Sequence, residues 1–299
     1  MPFKHILIAI LTVAVWGFNF VSIKLALHDI PPITLGFLRF FFTALPFVFF
    51  IPRPKVKWIA LAGYGITIFA LQFGFLFTGM RLGMSAGLSS MVLQVQVFFT
   101  IGLASIVFKE RPGPLKIIGA VVAFAGVAMI GLHTSKEVNI LGLLMLILGA
   151  FSWASGNIIS KSLGPVNSFA LVVWGGLVAF PFLGILAYFA EGADQLLFTN
   201  ISAISSSTWW ALVYIVYIST HVGFSLWSWL LERYSASNVA PFTLLVPVFG
   251  FLGSAIILKE EITDWKIHAG LLVITGLCMN IYDIRRRSIA AKKIELSRS

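Results

Sequence analysis

Apolar runs long enough to cross a bilayer alternate with short polar breaks along the chain. Charge-free stretches cover 58–80, 82–108, 117–135, 138–160, 162–190 and 234–258, with two more at 5–23 and 267–282. Residues 33–51 form another run, with Arg39 near one end. The stretch 195–231 holds one helix after a polar lead-in from Thr199 to Thr208. A spanning helix needs about 20 mostly apolar residues, so the pattern predicts ten. Backbone polar groups in lipid must bond within their own segment. The expected class is therefore an all-α integral membrane protein, with short connections and no soluble domain.

The second half of the chain echoes the first. Lys109-Glu110 follows one long apolar run and Lys259-Glu260 follows another 150 residues later. Ser85-Ala86 answers Ser235-Ala236, Lys116-Ile117 answers Lys266-Ile267, and Gly126 answers Gly276. This predicts two five-helix repeats, 1–136 and 137–284, followed by a basic tail, 285–299. With the N-terminus placed in the cytoplasm, 15 of the 21 Lys and Arg fall inside. Lysine and arginine favour the cytoplasmic side, so both termini and the tail are expected there. Five helices per half put Lys109 inside and Lys259 outside, which makes the repeats inverted. Inverted repeats recur in secondary transporters, with the binding site near the midplane between the halves. Trp16 precedes Lys24 by eight residues and Trp153 precedes Lys161 by eight. At 1.5 Å per residue that is about 12 Å, which places both indoles near the centre of the membrane.

Composition agrees and excludes other classes. The chain is 59% hydrophobic and 11% charged, with mean hydropathy +0.98. The net charge of +10 sits between apolar spans, where it sets topology, so no nucleic-acid partner is expected. One cysteine, Cys278, leaves no disulfide framework and no multi-cysteine metal site. The first apolar run continues past Trp16 without a small-residue cleavage site, so the first helix is expected to be retained. No phosphate loop, HExxH motif or metal-ligand cluster is present, so no enzyme activity, catalytic residue, metal or cofactor is expected. Asn200-Ile201-Ser202 reads as a chance match to a glycosylation acceptor.

Polar groups at membrane depth are the candidate chemistry. Tyr214, Tyr217, His221, Ser225 and Ser228 follow helical spacing on one face of the eighth helix. Asn19, Gln72, Gln94, Gln96 and Asn157 lie on four other helices. Such groups must face protein or water. Two readings stand for them: the lining of a substrate cavity, or hydrogen bonds that join helices. The deep tryptophans Trp16, Trp153 and Trp227 either wall a substrate path or fill volume. Arg39 either reaches the outer cavity mouth or snorkels to the interface. Gly79, Gly83 and Gly87, spaced by four, are expected to serve close helix packing. Pro241 and Pro247 mark the ninth helix as a candidate bend that moves during transport. Acidic residues avoid span centres, which leaves His221 as the candidate site for a coupled proton.

Taken in order, several segments resemble one family. They are Val15-Trp16-Gly17-Phe18-Asn19-Phe20, Phe151-Ser152-Trp153-Ala154 with Gly156-Asn157, and the two Lys-Glu turns. Gly63-Tyr64-Gly65, Gln72-Phe73, the run 83–88, the run 94–100 and Leu244-Leu245-Val246-Pro247-Val248 extend the match. Together they resemble the EamA family of the drug/metabolite transporter superfamily from the first helix to the last. The resemblance implies a bacterial inner-membrane exporter of amino acids or related metabolites, such as cysteine and O-acetylserine, working through a central cavity. A lipid-handling protein or flippase on the same fold is the alternative.

Overall fold

The computed structural model describes residues 1–133, 138–196, 204–234 and 236–296. Residues 136 and 137, where the two repeats meet, Thr199, Asn200-Ile201-Ser202 and Ser235 lie outside these. Among the described residues there is no β-strand, and nine helices are long and apolar enough to span a membrane. They are α1 (Phe3–Asp29), α2 (Pro32–Phe49), α3 (Trp58–Arg81), α4 (Ala86–Val107), α5 (Pro114–Leu132), α6 (Ile140–Ser162), α7 (Ser168–Ala190), α8 (Ser206–Leu231) and α10 (Asp264–Ile284). A shorter apolar helix, α9 (Pro241–Ile257), completes the expected ten. The last helix continues to Leu296, so the start of the basic segment prolongs α10. Large apolar side chains such as Ile106, Leu132, Ile185 and Ile256 are exposed along the outside, as a lipid-facing surface requires.

The packing maps onto itself when the halves are exchanged. Helix α1 packs on α8 and α9, and its counterpart α6 packs on α3 and α4. The equivalent pairs α2–α7, α4–α9 and α5–α10 pack on each other. At α5–α10, a β-carbon on Gly119 would lie 2.7 Å from the Gly276 carbonyl oxygen. One on Gly126 would lie 2.8 Å from the Ala269 carbonyl oxygen. Since 119 corresponds to 269 and 126 to 276, these are one contact made twice, in antiparallel sense. Small residues let helix backbones approach this closely in lipid. The two Lys-Glu turns share a rarer feature: among the described residues, Lys109 and Lys259 are the non-glycine residues with positive φ, 56° and 57°. Left-handed backbone is uncommon outside glycine, so the sequence echo records a conserved turn geometry.

Irregular backbone also recurs by half. In α3, residues Ile66–Leu71 form a π-helical segment, and in α8 Tyr214–Val222 do the same, each beginning eight residues after the helix start. Helix α4 tightens to a 3-10 turn at Leu93–Val95, and α9 opens through one at Ala240–Leu244. Pro241 lies in that turn and Pro247 in the first turn of the helix that follows, Leu245–Ile257. The α4 break contains no proline, so proline alone does not account for the irregularity. Gly79 and Gly87 sit at close helix contacts, whereas Gly83 has φ 114° in the α3–α4 turn and belongs to no helix face.

Candidate functional site

One end of the molecule is joined by charges reaching between helices. Glu191 accepts hydrogen bonds from the Ile33 and Thr34 backbone N–H groups at 2.7 and 2.8 Å, at the start of α2. Asp29 accepts from the Ser205 N–H at 2.9 Å and the Thr208 hydroxyl at 2.7 Å, at the start of α8. Glu260 accepts from the Ala86 N–H at 3.0 Å, at the start of α4. The first N–H groups of a helix lack internal partners and carry its positive dipole end, so carboxylates placed there are stabilising. Cations treat the opposite helix ends in the same way. Lys24 Nζ donates to the Met80 and Met84 carbonyls at 2.9 and 3.1 Å, and Arg81 donates to the Leu27 carbonyl at 2.5 Å. A cavity of about 570 Å³ opens among these groups, lined by Lys24, His28, Asp29, Met80, Arg81 and Ser207. At the other end of the chain's spans, Lys161 and Glu110 form an exposed ion pair. Acidic residues that sequence spacing leaves in loops are thus placed as inter-helix caps.

The polar residues at membrane depth fall into separate clusters. Between α1 and α8, the Trp16 indole donates to the Ser219 carbonyl at 3.1 Å and lies 5.1 Å from the Trp227 ring centroid. Tyr214 donates its hydroxyl to the Val15 carbonyl at 3.0 Å in the same interface. Between α4 and α6, Asn157 Nδ2 donates to Gln96 Oε1 at 3.1 Å and to Thr100 Oγ1 at 3.2 Å. Gln94 donates to the Thr243 carbonyl at 3.1 Å, linking α4 to the 3-10 turn that opens α9. Trp153 packs half-buried against the main core. Asn19 Oδ1 and Gln72 Nε2 are buried without a hydrogen-bond partner among the described residues.

The stripe expected along one face of α8 is split. Tyr214 turns toward α1 and His221 toward α2, while Tyr217 and Ser225 are exposed. The cause is the π-helical segment Tyr214–Val222: its i→i+5 bonding widens each turn and dephases the 3.6-residue period that the spacing assumed. His221 is 8% exposed, with Nδ1 2.9 Å from the Val216 carbonyl and Nε2 3.2 Å from the Thr43 carbonyl. The Phe47 ring lies tilted against it at 4.3 Å, and the exposed Tyr217 ring stacks on it at 5.7 Å.

Arg39 does not snorkel. It is 2% exposed, donates from Nη2 to Thr220 Oγ1 at 3.1 Å, and holds its guanidinium carbon 3.9 Å from the Phe73 ring centroid. A lone arginine near a span end ordinarily reaches back to the interface; here α3 and α8 close over it. Thr100 and Thr220 also belong to the polar clusters, and threonines at helical positions carry no sequence signal that separates them from ordinary packing. Among the described residues, no group of three or more His, Cys, Asp or Glu is placed to hold a metal ion.

A ten-helix membrane fold of two inverted repeats, with polar and charged groups shared between the halves, defines a multi-pass membrane transporter. The chain belongs to the EamA-like transporter family, which it matches twice, at residues 3–132 and 140–282. A protein of Salmonella typhimurium named as a probable amino-acid metabolite efflux pump is 39% identical over 97% of this chain and 99% of its own length. An Escherichia coli protein of the same description is 38% identical over 96% and 98%. A solved crystal structure superposes with TM-score 0.65 over 95% of this chain and 98% of that one, at 15% identity, and supports the fold.

Proposed function

We propose that the protein exports amino acids or related metabolites, such as cysteine or O-acetylserine, across a bacterial inner membrane by alternating access. The single observation that carries this reading is near-full-length likeness to two proteins described as probable amino-acid metabolite efflux pumps. The reading divides the spans into the repeats 1–136 and 137–284 and places both termini, with the basic tail 285–299, in the cytoplasm. The end capped by Asp29, Glu191 and Glu260 then faces the periplasm. Lys24 and Glu260 at that end correspond by repeat to Lys161 and Glu110 at the cytoplasmic end. Making and breaking these two sets in turn is how the path opens to alternate sides.

In this reading Trp16, Asn19, Gln72, Gln94, Gln96, Trp153, Asn157, Tyr214, His221 and Trp227 border the substrate path, and the region of Pro241 and Pro247 bends as it opens. His221 is the site of a coupled proton. Both its ring nitrogens face carbonyl oxygens, and only the doubly protonated ring donates to both. The test is efflux of radiolabelled cysteine, O-acetylserine and a broad amino-acid panel from cells overproducing the chain. Faster efflux than in empty-vector cells supports the reading, and equal efflux across the panel sinks it.

A further inference from the structure

We infer that Arg39 binds the carboxylate of the transported molecule. This deepens the exporter reading and rests on it. Arg39 stands seven residues into α2, about 10 Å along the helix from Pro32. Its side chain is almost wholly enclosed, at 2% exposure. Of its three nitrogens only Nη2 has a partner, the Thr220 hydroxyl; Nε and Nη1 are buried and unpartnered among the described residues. The ion pairs His28–Asp29 and Lys161–Glu110 do not involve Arg39.

A guanidinium at membrane depth is costly unless an anion or several acceptors meet it. The surroundings supply too little. Phe73 covers one face of the group, and the Thr220 hydroxyl gives its own proton to the Ile215 carbonyl, leaving a lone pair for Arg39. One turn further along α2, the Thr43 hydroxyl is also buried and unpartnered. Arg39 therefore presents unused donors, with a second hydroxyl on the same side of α2. A carboxylate supplies both the missing charge and two acceptor oxygens, in the planar geometry a guanidinium prefers. The position is also suited to transport. Thr220 lies in the π-helical segment of α8, beside His221, so a carboxylate on Arg39 would bind next to the residue assigned the coupled proton. A structural pin between α2, α3 and α8 would need no unpartnered nitrogens.

The experiment is counterflow of radiolabelled cysteine in proteoliposomes, with unlabelled cysteine and cysteinamide as competitors. The two differ in whether the carboxylate is free. Wild-type protein is expected to prefer cysteine by at least tenfold, Arg39→Gln to lose that preference, and Arg39→Lys to keep part of it. Wild-type protein that accepts cysteinamide as readily as cysteine overturns the proposal without any variant, which covers the case of Arg39→Gln failing to fold. Equal slowing of both by Arg39→Gln, with the preference intact, also overturns it and assigns Arg39 to packing. Wild-type protein that carries neither compound, nor any of the broader amino-acid panel, brings down the exporter reading itself, and this proposal with it.

Discussion

Gly119 and Gly276 face each other so closely that a β-carbon on Gly276 would sit 2.3 Å from the Gly119 carbonyl oxygen. The obstacle is backbone, which cannot move aside as a flexible side chain can. Gly276→Leu is expected to destabilise the protein by about 1–3 kcal/mol, and Gly119→Leu by a similar amount. Thermal unfolding in detergent, followed by size-exclusion chromatography, measures both. Unchanged melting for either variant would mean that α5 and α10 do not meet as described.

Glu260→Gln keeps the shape of the α4 cap and removes its charge. Loss of the charge at a helix N-terminus is expected to cost about 1 kcal/mol. Because Glu260 tethers the turn after α9 to the start of α4, the variant should also expose this end more readily. Faster labelling of a cysteine placed at Met84, relative to the same cysteine in the wild-type background, is the measurement.

His221→Ala should lower export about tenfold or more, as expected when hydrogen bonds of a charged group worth about 1.5–3 kcal/mol are lost. The amount of protein in the membrane should stay the same. Efflux at the wild-type rate and normal expression would leave His221 as a contact between α2 and α8.

Trp16→Phe removes the indole hydrogen bond to Ser219 and keeps an aromatic ring against Trp227. That bond is worth about 0.5–1.5 kcal/mol, so a severalfold change in export rate or substrate range is expected. Kinetics indistinguishable from wild type would assign Trp16 to packing.

Single cysteines at Lys109 and Lys259 should react with a membrane-impermeant reagent from opposite sides of the bilayer. Reaction from one common side would contradict the proposed orientation of the two halves.

The architecture was legible because it is written in features that survive rotation of a helix: apolar run length, charge placement, and the Lys-Glu turns at 109 and 259. Those two lysines also share a left-handed φ, so the echo in sequence is matched by one in backbone shape. The candidate site was legible only as polarity at depth. Gln96 and Asn157 could be selected from sequence, but their mutual hydrogen bond depends on the relative rotation of α4 and α6. The split of Tyr214 from His221 depends on a π-helical segment that leaves no pattern in residue type, and the same segment carries Thr220 to Arg39. A regular helix was the correct default for that stretch, and the residues it misplaced are those of the π-helical segment itself.

The self-complementary seam between α5 and α10 also constrains how the chain could be divided. If it were cut between the halves and made as two polypeptides, each fragment would have to insert with the opposite polarity to the other before that seam could close. A duplicate of either fragment inserted the same way up would present its glycines in parallel, out of step with the partner surface, and would be left without a mate.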